Sequence, residues 1–111
     1  MNLKTVIELL DAKKLNNSCD DDIEVCAACG SDLMSDVLAF VKDQAMLLTG
    51  LVNPQVVRTA EMMDMKAIVF VRGKIPGEEI LELSDESGIA VLSTNEPLYA
   101  ACGKLYEQGL R

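Results

Sequence analysis

The chain has 111 residues, half of them apolar, but only two Phe, two Tyr and no Trp. This length supports one domain with a single core, and that core has to be aliphatic. The formal net charge of −8 argues against nucleic acid and anionic membranes as partners, because both favour Lys and Arg clusters. No apolar stretch approaches the roughly 20 residues of a membrane span, and a signal-peptide layout is missing, so we expect a cytoplasmic protein with reduced cysteines.

The first 22 residues are predicted to form a helix followed by an acidic connection. Apolar residues recur at helical spacing from Leu3 and predict a helix that ends near Ala12. Residues 13–22 follow as a polar loop. Its acidic run Asp20–Asp22 lacks the alternating oxygen ligands and Gly of a calcium loop, so a solvated loop is favoured. Residues 23–111 are expected to form the core of the single domain 1–111.

Four short apolar runs without polar alternation come next and predict buried strands. They span Ile23–Ala28, Ala45–Gly50, Ala67–Val71 and Ile89–Ser93. Helical stretches separate them, so we predict an α/β domain with about four mainly parallel strands and helices on both faces. Parallel strands place their exit loops at one edge, where ligands of open α/β sheets bind.

Cap residues and prolines mark the helices between these strands. Ser31 or Asp32 is predicted to cap the second helix, and Asn53-Pro54, Pro76 and Pro97 to open the next three. The apolar side chains predicted to face inward are Leu33, Met34, Val37, Leu38 and Val41 in the second helix, Val56, Val57, Ala60, Met62 and Met63 in the third, Ile80, Leu81 and Leu83 in the fourth, and Leu98, Ala101, Cys102, Leu105 and Tyr106 in the fifth.

Several segments resemble the DRTGG-domain family, a regulatory module related to the N-terminal domain of the bacterial HPr kinase/phosphorylase. They are Leu48–Gly50, Asn53–Arg58, Ala67–Gly73 and Gly88–Thr94, and Gly30–Val37 adds a likeness to small stand-alone members found near iron-only hydrogenase genes. The Asp-Arg-Thr-Gly-Gly string itself is absent, and only Thr49-Gly50 matches its end. The resemblance implies an HPr kinase N-terminal-domain-like fold, a homodimer, a response to adenine nucleotides and a hydrogenase or redox-system partner.

The sequence contains few residues suited to catalysis. There is no His, and no Walker loop, dinucleotide fingerprint or nucleophile-elbow pattern occurs. In the HPr kinase the phosphate-binding loop lies in the C-terminal domain, for which this chain has no counterpart. We therefore expect a non-catalytic regulatory or interaction module without a cofactor, not an enzyme.

The predicted strand exits carry a candidate site for a nucleotide or another phosphorylated small molecule. Flexible glycines, hydroxyls, helix starts and two cations meet there, and such groups suit a phosphate. The alternative is that the hydroxyl and amide side chains only cap helices. The candidate residues are Ser31, Asp32, Thr49, Gly50, Asn53, Arg72, Gly73, Lys74, Ser93 and Thr94.

The four cysteines offer an alternative function, an iron–sulfur or other metal-binding accessory protein. Cys26 and Cys29 enclose two alanines near a helix start, where a thiol pKa falls, and Cys19 and Cys102 complete a set of four. Against ligation, Cys102 lies on a predicted core face, and strand residues three apart point to opposite sides. Structural thiols, a redox pair and a metal site all remain open.

Overall fold

The fold is a single sheet of five strands with helices packed on both of its faces. A computed structural model describes residues 1–17, 20–40 and 42–111. Its elements are α1 (Leu3–Leu10), β1 (Lys13–Lys14), β2 (Ala27–Gly30), α2 (Met34–Phe40), β3 (Ala45–Thr49), α3 (Pro54–Met62), β4 (Ala67–Phe70), α4 (Glu78–Glu86), β5 (Ala90–Ser93) and α5 (Leu98–Glu107). The strand order is β1-β5-β4-β3-β2; β2 to β5 run parallel, and β1 is antiparallel to β5. The predicted α/β architecture is confirmed, with one additional strand.

The central strands are apolar except for their last residues in β3 and β5, Thr49 and Ser93, because a helical layer covers each face of the sheet. Every residue of β3, β4 and β5 is buried. Met46 and Leu48 of β3 pack in the layer formed with α1 and α5, whereas Leu47 packs in the layer formed with α2, α3 and α4. Side chains on both sides of each strand therefore meet apolar neighbours, which accounts for the missing polar alternation.

The edge strand β2 begins later than predicted, because the residues before it bond to the start of the chain. Ile23 O accepts a hydrogen bond from Leu3 N at 3.0 Å, and Val25 N donates to Met1 O at 2.8 Å. Residues 23–25 are therefore held beside the beginning of α1. Pairing with β3 starts only at Ala27, so the predicted strand Ile23–Ala28 was wrong for its first four residues.

The short strand β1 lies inside the stretch predicted as an acidic loop. Lys13 pairs with Ser93, and Lys14 pairs with Leu92, at the open side of β5. Two consecutive lysines carry no strand signal of their own. They pair because the end of α1 places them beside the unpaired side of β5. The tertiary contact there outweighs the weak β-propensity of lysine.

Some side chains that were predicted to face inward are exposed. They are Leu33, Leu38, Met62 and Tyr106. For α2 the reason is its short length: it begins at Met34, not after Ser31 or Asp32, and buries Met34 and Val37. Val41, also predicted for this face, lies outside the described residues. In the described part of the chain, no helix is long and apolar enough to span a membrane.

Candidate functional site

The parallel register brings the exits of β2, β3 and β4 next to one another. Gly30 at the end of β2 pairs with Leu48, and Thr49 at the end of β3 pairs with Phe70 at the end of β4. The loops that follow these three strand ends therefore begin next to one another at one edge of the sheet. We call the cluster formed there by Asp32, Thr49, Gly50 and Arg72 the exit cluster.

Asp32 connects the first two loops of the exit cluster. Its Oδ1 accepts hydrogen bonds from the Gly50 N–H at 2.7 Å and from the Thr49 hydroxyl at 3.0 Å. Asp32 was one of two residues predicted to cap the second helix, but its carboxylate contacts the end of β3 instead. The donors that a bound anion would use in this loop are therefore already occupied by a carboxylate of the same chain.

Arg72 supplies the cation of the exit cluster. Its Nη2 lies 3.6 Å from Asp32 Oδ2, and 45% of the Arg72 side chain and 47% of the Asp32 side chain remain exposed. The guanidinium lies directly over Gly50, since a Cβ added there would overlap Arg72 Nη2 and lie 2.8 Å from Arg72 Cζ. Glycine at position 50 thus makes room for the guanidinium above the backbone.

The electrostatics keep Asp32 ionised. The Gly50 N–H, the Thr49 hydroxyl and the Arg72 guanidinium lower the pKa of Asp32 below its ordinary value, although partial burial acts in the opposite direction. A carboxylate that accepts backbone and side-chain hydrogen bonds is stabilised in its charged form. Asp32 is therefore a hydrogen-bond acceptor near neutral pH. Its Oδ2 forms a long contact of 3.6 Å with the Arg72 guanidinium.

A tight turn positions Arg72 at the end of β4. Arg72 and Gly73 have φ values of 57° and 69°, and Lys74 N donates to Val71 O at 3.2 Å, as in a type I′ turn. The turn is anchored to the exit of β5, because Arg72 N donates to Glu96 O at 2.9 Å and Gly73 N donates to Thr94 O at 2.8 Å. The backbone donors of this turn are consequently used within the protein, and its side-chain cations are what it presents to solvent.

Ser93 and Thr94, predicted for the same site, serve internal contacts instead. The buried Thr94 hydroxyl donates to Leu10 O at 2.6 Å and accepts from Glu96 N at 3.2 Å. The Ser93 hydroxyl, also buried, donates to Lys74 O at 2.8 Å. Both hydroxyls are therefore directed into the structure and not toward the exit cluster.

Three further predicted residues also have local roles or lie apart. Asn53 caps α3, with its side chain accepting from Val56 N at 3.2 Å. Ser31 Oγ accepts from Leu33 N at 3.0 Å in a local turn. Lys74 is exposed, and among the described ion pairs none involves it. The capping interpretation thus describes Asn53, whereas Asp32, Thr49, Gly50 and Arg72 form a true cluster.

The part of Glu96 in holding the site was not predicted from the sequence. Its carbonyl accepts from Arg72 N, and its carboxylate pairs with Lys104 at 2.6 Å. The backbone contact joins residues 24 positions apart and uses no side-chain chemistry. No residue pattern in the sequence signals such a contact.

The described cysteines do not converge on one point. The exposed Cys26 Sγ lies 2.9 Å from Gln44 Oε1. Cys29 packs in the layer of α2, α3 and α4, whereas Cys102 packs in the layer of α1 and α5 on the opposite face. Cys19 lies outside the described residues. Within the described part of the chain, no group of three or more Cys, Asp or Glu side chains is placed to hold a metal ion.

Burial also makes two of these thiols poor nucleophiles. It raises the pKa of Cys29, with the charge of Asp36 adding to the effect, and it raises the pKa of Cys102, where Cys29 contributes in the same direction. The thiolate is the reactive form of cysteine. The geometry therefore favours structural roles for Cys29 and Cys102, and the metal-binding alternative stays a prediction.

Comparison with known proteins gives a fold relationship without a family assignment. No family model matches the chain, and no curated protein matches it. The crystal structure of the CBS and DRTGG domains of the regulatory region of Clostridium perfringens pyrophosphatase, in complex with its activator diadenosine tetraphosphate, matches with a TM-score of 0.78 at 15% identity. The match covers 94% of this chain and 45% of the other, so this chain spans a little under half of that length. The likeness supports a DRTGG-like fold.

Proposed function

We propose that this protein is a non-catalytic regulatory module that senses a nucleotide at the exit cluster. The observation that carries the proposal is Arg72, whose guanidinium is held over Gly50 where the exits of three strands meet, with almost half of the side chain exposed. Arg72 adopts a left-handed backbone conformation, which is uncommon for a residue other than glycine. Such a conformation at a ligand edge is a reason to suspect function.

Arg72 is available to a ligand phosphate. Its contact with Asp32 measures 3.6 Å, well beyond the roughly 2.7–2.9 Å of a charge-assisted hydrogen bond. The guanidinium donors are therefore oriented by Asp32 without being consumed by it. A planar guanidinium can bind two phosphate oxygens at once, which the nearby ammonium of Lys74 cannot do.

Asp32 narrows the class of ligand. A carboxylate beside Arg72 repels a small free anion, but carboxylate oxygens accept hydrogen bonds from ribose hydroxyls in dinucleotide sites. A nucleotide presents both groups, hydroxyls for Asp32 and phosphate for Arg72. The pair therefore suits a nucleotide better than inorganic phosphate. The pyrophosphatase region of similar fold was crystallised with a dinucleotide activator, which supports the same ligand class.

Binding without catalysis agrees with the chemistry of the described groups. Asp32 has a lowered pKa and is a poor proton donor, and the raised pKa values of Cys29 and Cys102 disfavour nucleophilic attack. The chain contains no His. We also propose that the protein is a homodimer, so that a bound ligand can act on the association of its two copies. A hydrogenase or redox-system partner stays a prediction of the family resemblance.

The proposal is tested by calorimetry and thermal shift with ATP, AMP, diadenosine tetraphosphate, adenosine and inorganic phosphate. We expect nucleotides to raise the melting temperature more than adenosine or phosphate alone. Arg72→Ala should weaken nucleotide binding by about 1.5–3 kcal/mol, the range for a charged hydrogen bond. It should change the free energy of unfolding by less than about 1 kcal/mol, because exposed ion pairs contribute little.

Arg58→Ala is the matched control, since Arg58 is an exposed arginine on α3. It should leave nucleotide binding unchanged. A wild-type protein that responds to none of the nucleotides would refute the proposal. Equal weakening by Arg58→Ala and Arg72→Ala would show non-specific attraction instead of a site.

A further inference from the structure

The outer side of α5 carries an unusual amount of exposed aromatic surface. Tyr99 is 92% exposed and Tyr106 is 60% exposed. They are seven positions apart, so they lie two turns apart on one side of the helix, with Gly103 between them. The inward side of the same helix buries Ala101 and Leu105. The two rings are therefore not needed for the core of this chain.

A shallow hollow on this same side is lined by Tyr99, Cys102, Gly103, Tyr106 and Glu107. A Cβ added at Gly103 would meet no atom within 4 Å, whereas a Cβ at Gly30 would lie 2.5 Å from Cys102 Sγ. Gly30 is thus required by packing inside the chain, but Gly103 is not. Glycine within a helix weakens it relative to alanine, so its use here needs another reason. The hollow admits a large side chain from outside.

The charge of α5 also distinguishes this surface. Residues 98–111 contain Lys104, Arg111 and Glu107, a formal side-chain charge of +1, within a chain of −8. In contrast, α4 (Glu78–Glu86) contains five acidic residues and no cation. Two copies of an acidic protein repel each other over most of their surface. They repel each other less at α5 than at α4.

We propose, building on the homodimer proposed above, that two copies of this chain associate through antiparallel α5 helices, with the twofold axis close to Gly103. In a twofold interface the same patch meets itself, so a protruding ring and a hollow on one helix complement each other. A tyrosine of each copy then packs over Gly103 of the other. Arg111, whose guanidinium carbon lies 4.7 Å from the centre of the Tyr106 ring, is carried with that ring toward the other α5.

The area of the patch predicts a weak dimer. A specific interface buries about 800 Å² per partner, and a buried aromatic side chain contributes about 150–250 Å². Two tyrosines therefore supply at most about half of the area, since Tyr106 is already partly covered. The remainder has to come from the rest of α5 and from the neighbouring edge strand β2. Association should consequently depend on concentration in the micromolar range.

Sedimentation velocity from micromolar to millimolar protein tests the interface. We expect the wild type to form dimers and the double variant Tyr99→Ser/Tyr106→Ser to associate at least about tenfold more weakly. Met62→Ser, at an exposed apolar position on α3, is the matched control and should dimerise like the wild type. At concentrations too low for dimers, the double variant should retain the melting temperature of the wild type, since neither ring is buried in the core.

Cross-linking tests the position of the axis. In a background with Cys19→Ser and Cys26→Ser, Gly103→Cys should form a disulfide-linked dimer on mild oxidation, whereas Glu82→Cys on α4 should not. A dimer that persists in the double tyrosine variant, or no cross-link at position 103, would overturn the interface. A wild type that stays monomeric at millimolar concentration would overturn the homodimer as well. Neither result depends on the nucleotide measurements, because the α5 variants leave Arg72 unchanged.

Discussion

The two halves of the sheet edge use similar residues for different purposes. At the exits of β2, β3 and β4, Asp32, Thr49 and Arg72 form a half-exposed cluster of opposite charges. At the exit of β5, Ser93 and Thr94 are buried, and both hydroxyls bond to backbone carbonyls. Both halves lie where ligands of parallel sheets bind, but the charged side chains of the exit cluster remain half exposed, whereas the two hydroxyls of the β5 half are buried.

The difference lies in which partners each half finds within the chain. The β5 half is covered by the end of α1 and by the turn after β4, which supply the carbonyls of Leu10 and Lys74. In the exit cluster, the charged side chains of Asp32 and Arg72 stay nearly half exposed. They lie 3.6 Å apart and neutralise each other only in part. Position at a sheet edge is therefore not sufficient evidence for a ligand site. The decisive property is whether the polar groups have been satisfied inside the fold.

The largest difference between the two halves should appear in the free energy of unfolding of the variant Thr94→Val. This change removes the donor to Leu10 O and leaves a buried carbonyl without its partner, which costs about 1–3 kcal/mol. Chemical denaturation should show this loss, and nucleotide binding should be unchanged. Ser31→Ala, at an exposed hydroxyl in the other half, should cost less than about 0.5 kcal/mol. Equal losses for both variants would contradict the distinction.

The fold was predictable where local pattern and tertiary structure agree. The strands β3, β4 and β5 are continuous apolar runs, and their parallel order follows from the helices between them. β1 was not predictable, because two lysines become a strand only beside the unpaired edge of β5. The late start of β2 was not predictable either, because it too depends on a long-range contact: Ile23 and Val25 form hydrogen bonds with the first residues of the chain.

The candidate site was predictable in location but not in composition. The order of strand exits indicated the edge, and Asp32, Thr49, Gly50 and Arg72 do meet there. The sequence did not indicate that Thr94 is internal, because its hydroxyl bonds to a carbonyl 84 positions away. Contacts of that length leave no local pattern, and a threonine at a strand end has the same sequence signature whether it is buried or exposed.

A second prediction sharpens the comparison through Gly50→Ala. The new methyl group would occupy the space of the Arg72 guanidinium, which has to swing away because the backbone there cannot. Nucleotide binding should weaken about tenfold, equivalent to about 1.4 kcal/mol. The free energy of unfolding should change by less than about 1 kcal/mol, since Arg72 is a flexible, half-exposed side chain.

Gly77→Ala is the control for that experiment, because a Cβ at Gly77 meets no atom within 4 Å. Its nucleotide affinity should match the wild type in calorimetry. If Gly50→Ala binds nucleotide as tightly as wild type while Arg72→Ala does not, then the placement of the guanidinium over Gly50 is not what orients it.

The smallest effect should come from Asp32→Asn, and it depends on pH. The lowered pKa of Asp32 means that its charged form stabilises the fold above the ordinary carboxyl pKa of about 3.9, and that this contribution is lost as the pH falls through the lower folded-state pKa. The wild type should therefore melt at a slightly higher temperature than Asp32→Asn at pH 7, and this difference should shrink as the pH falls below the ordinary carboxyl pKa. The difference stays small because the pair with Arg72 is half exposed.

The same substitution should also change ligand affinity. At pH 7 it removes a negative charge beside Arg72, so inorganic phosphate should bind a few-fold more tightly. A nucleotide that uses Asp32 as a hydroxyl acceptor should gain less affinity. Melting curves across this pH range and paired titrations with phosphate and AMP measure both effects. A larger gain for AMP than for phosphate would show that Asp32 repels the ligand and does not help to bind it.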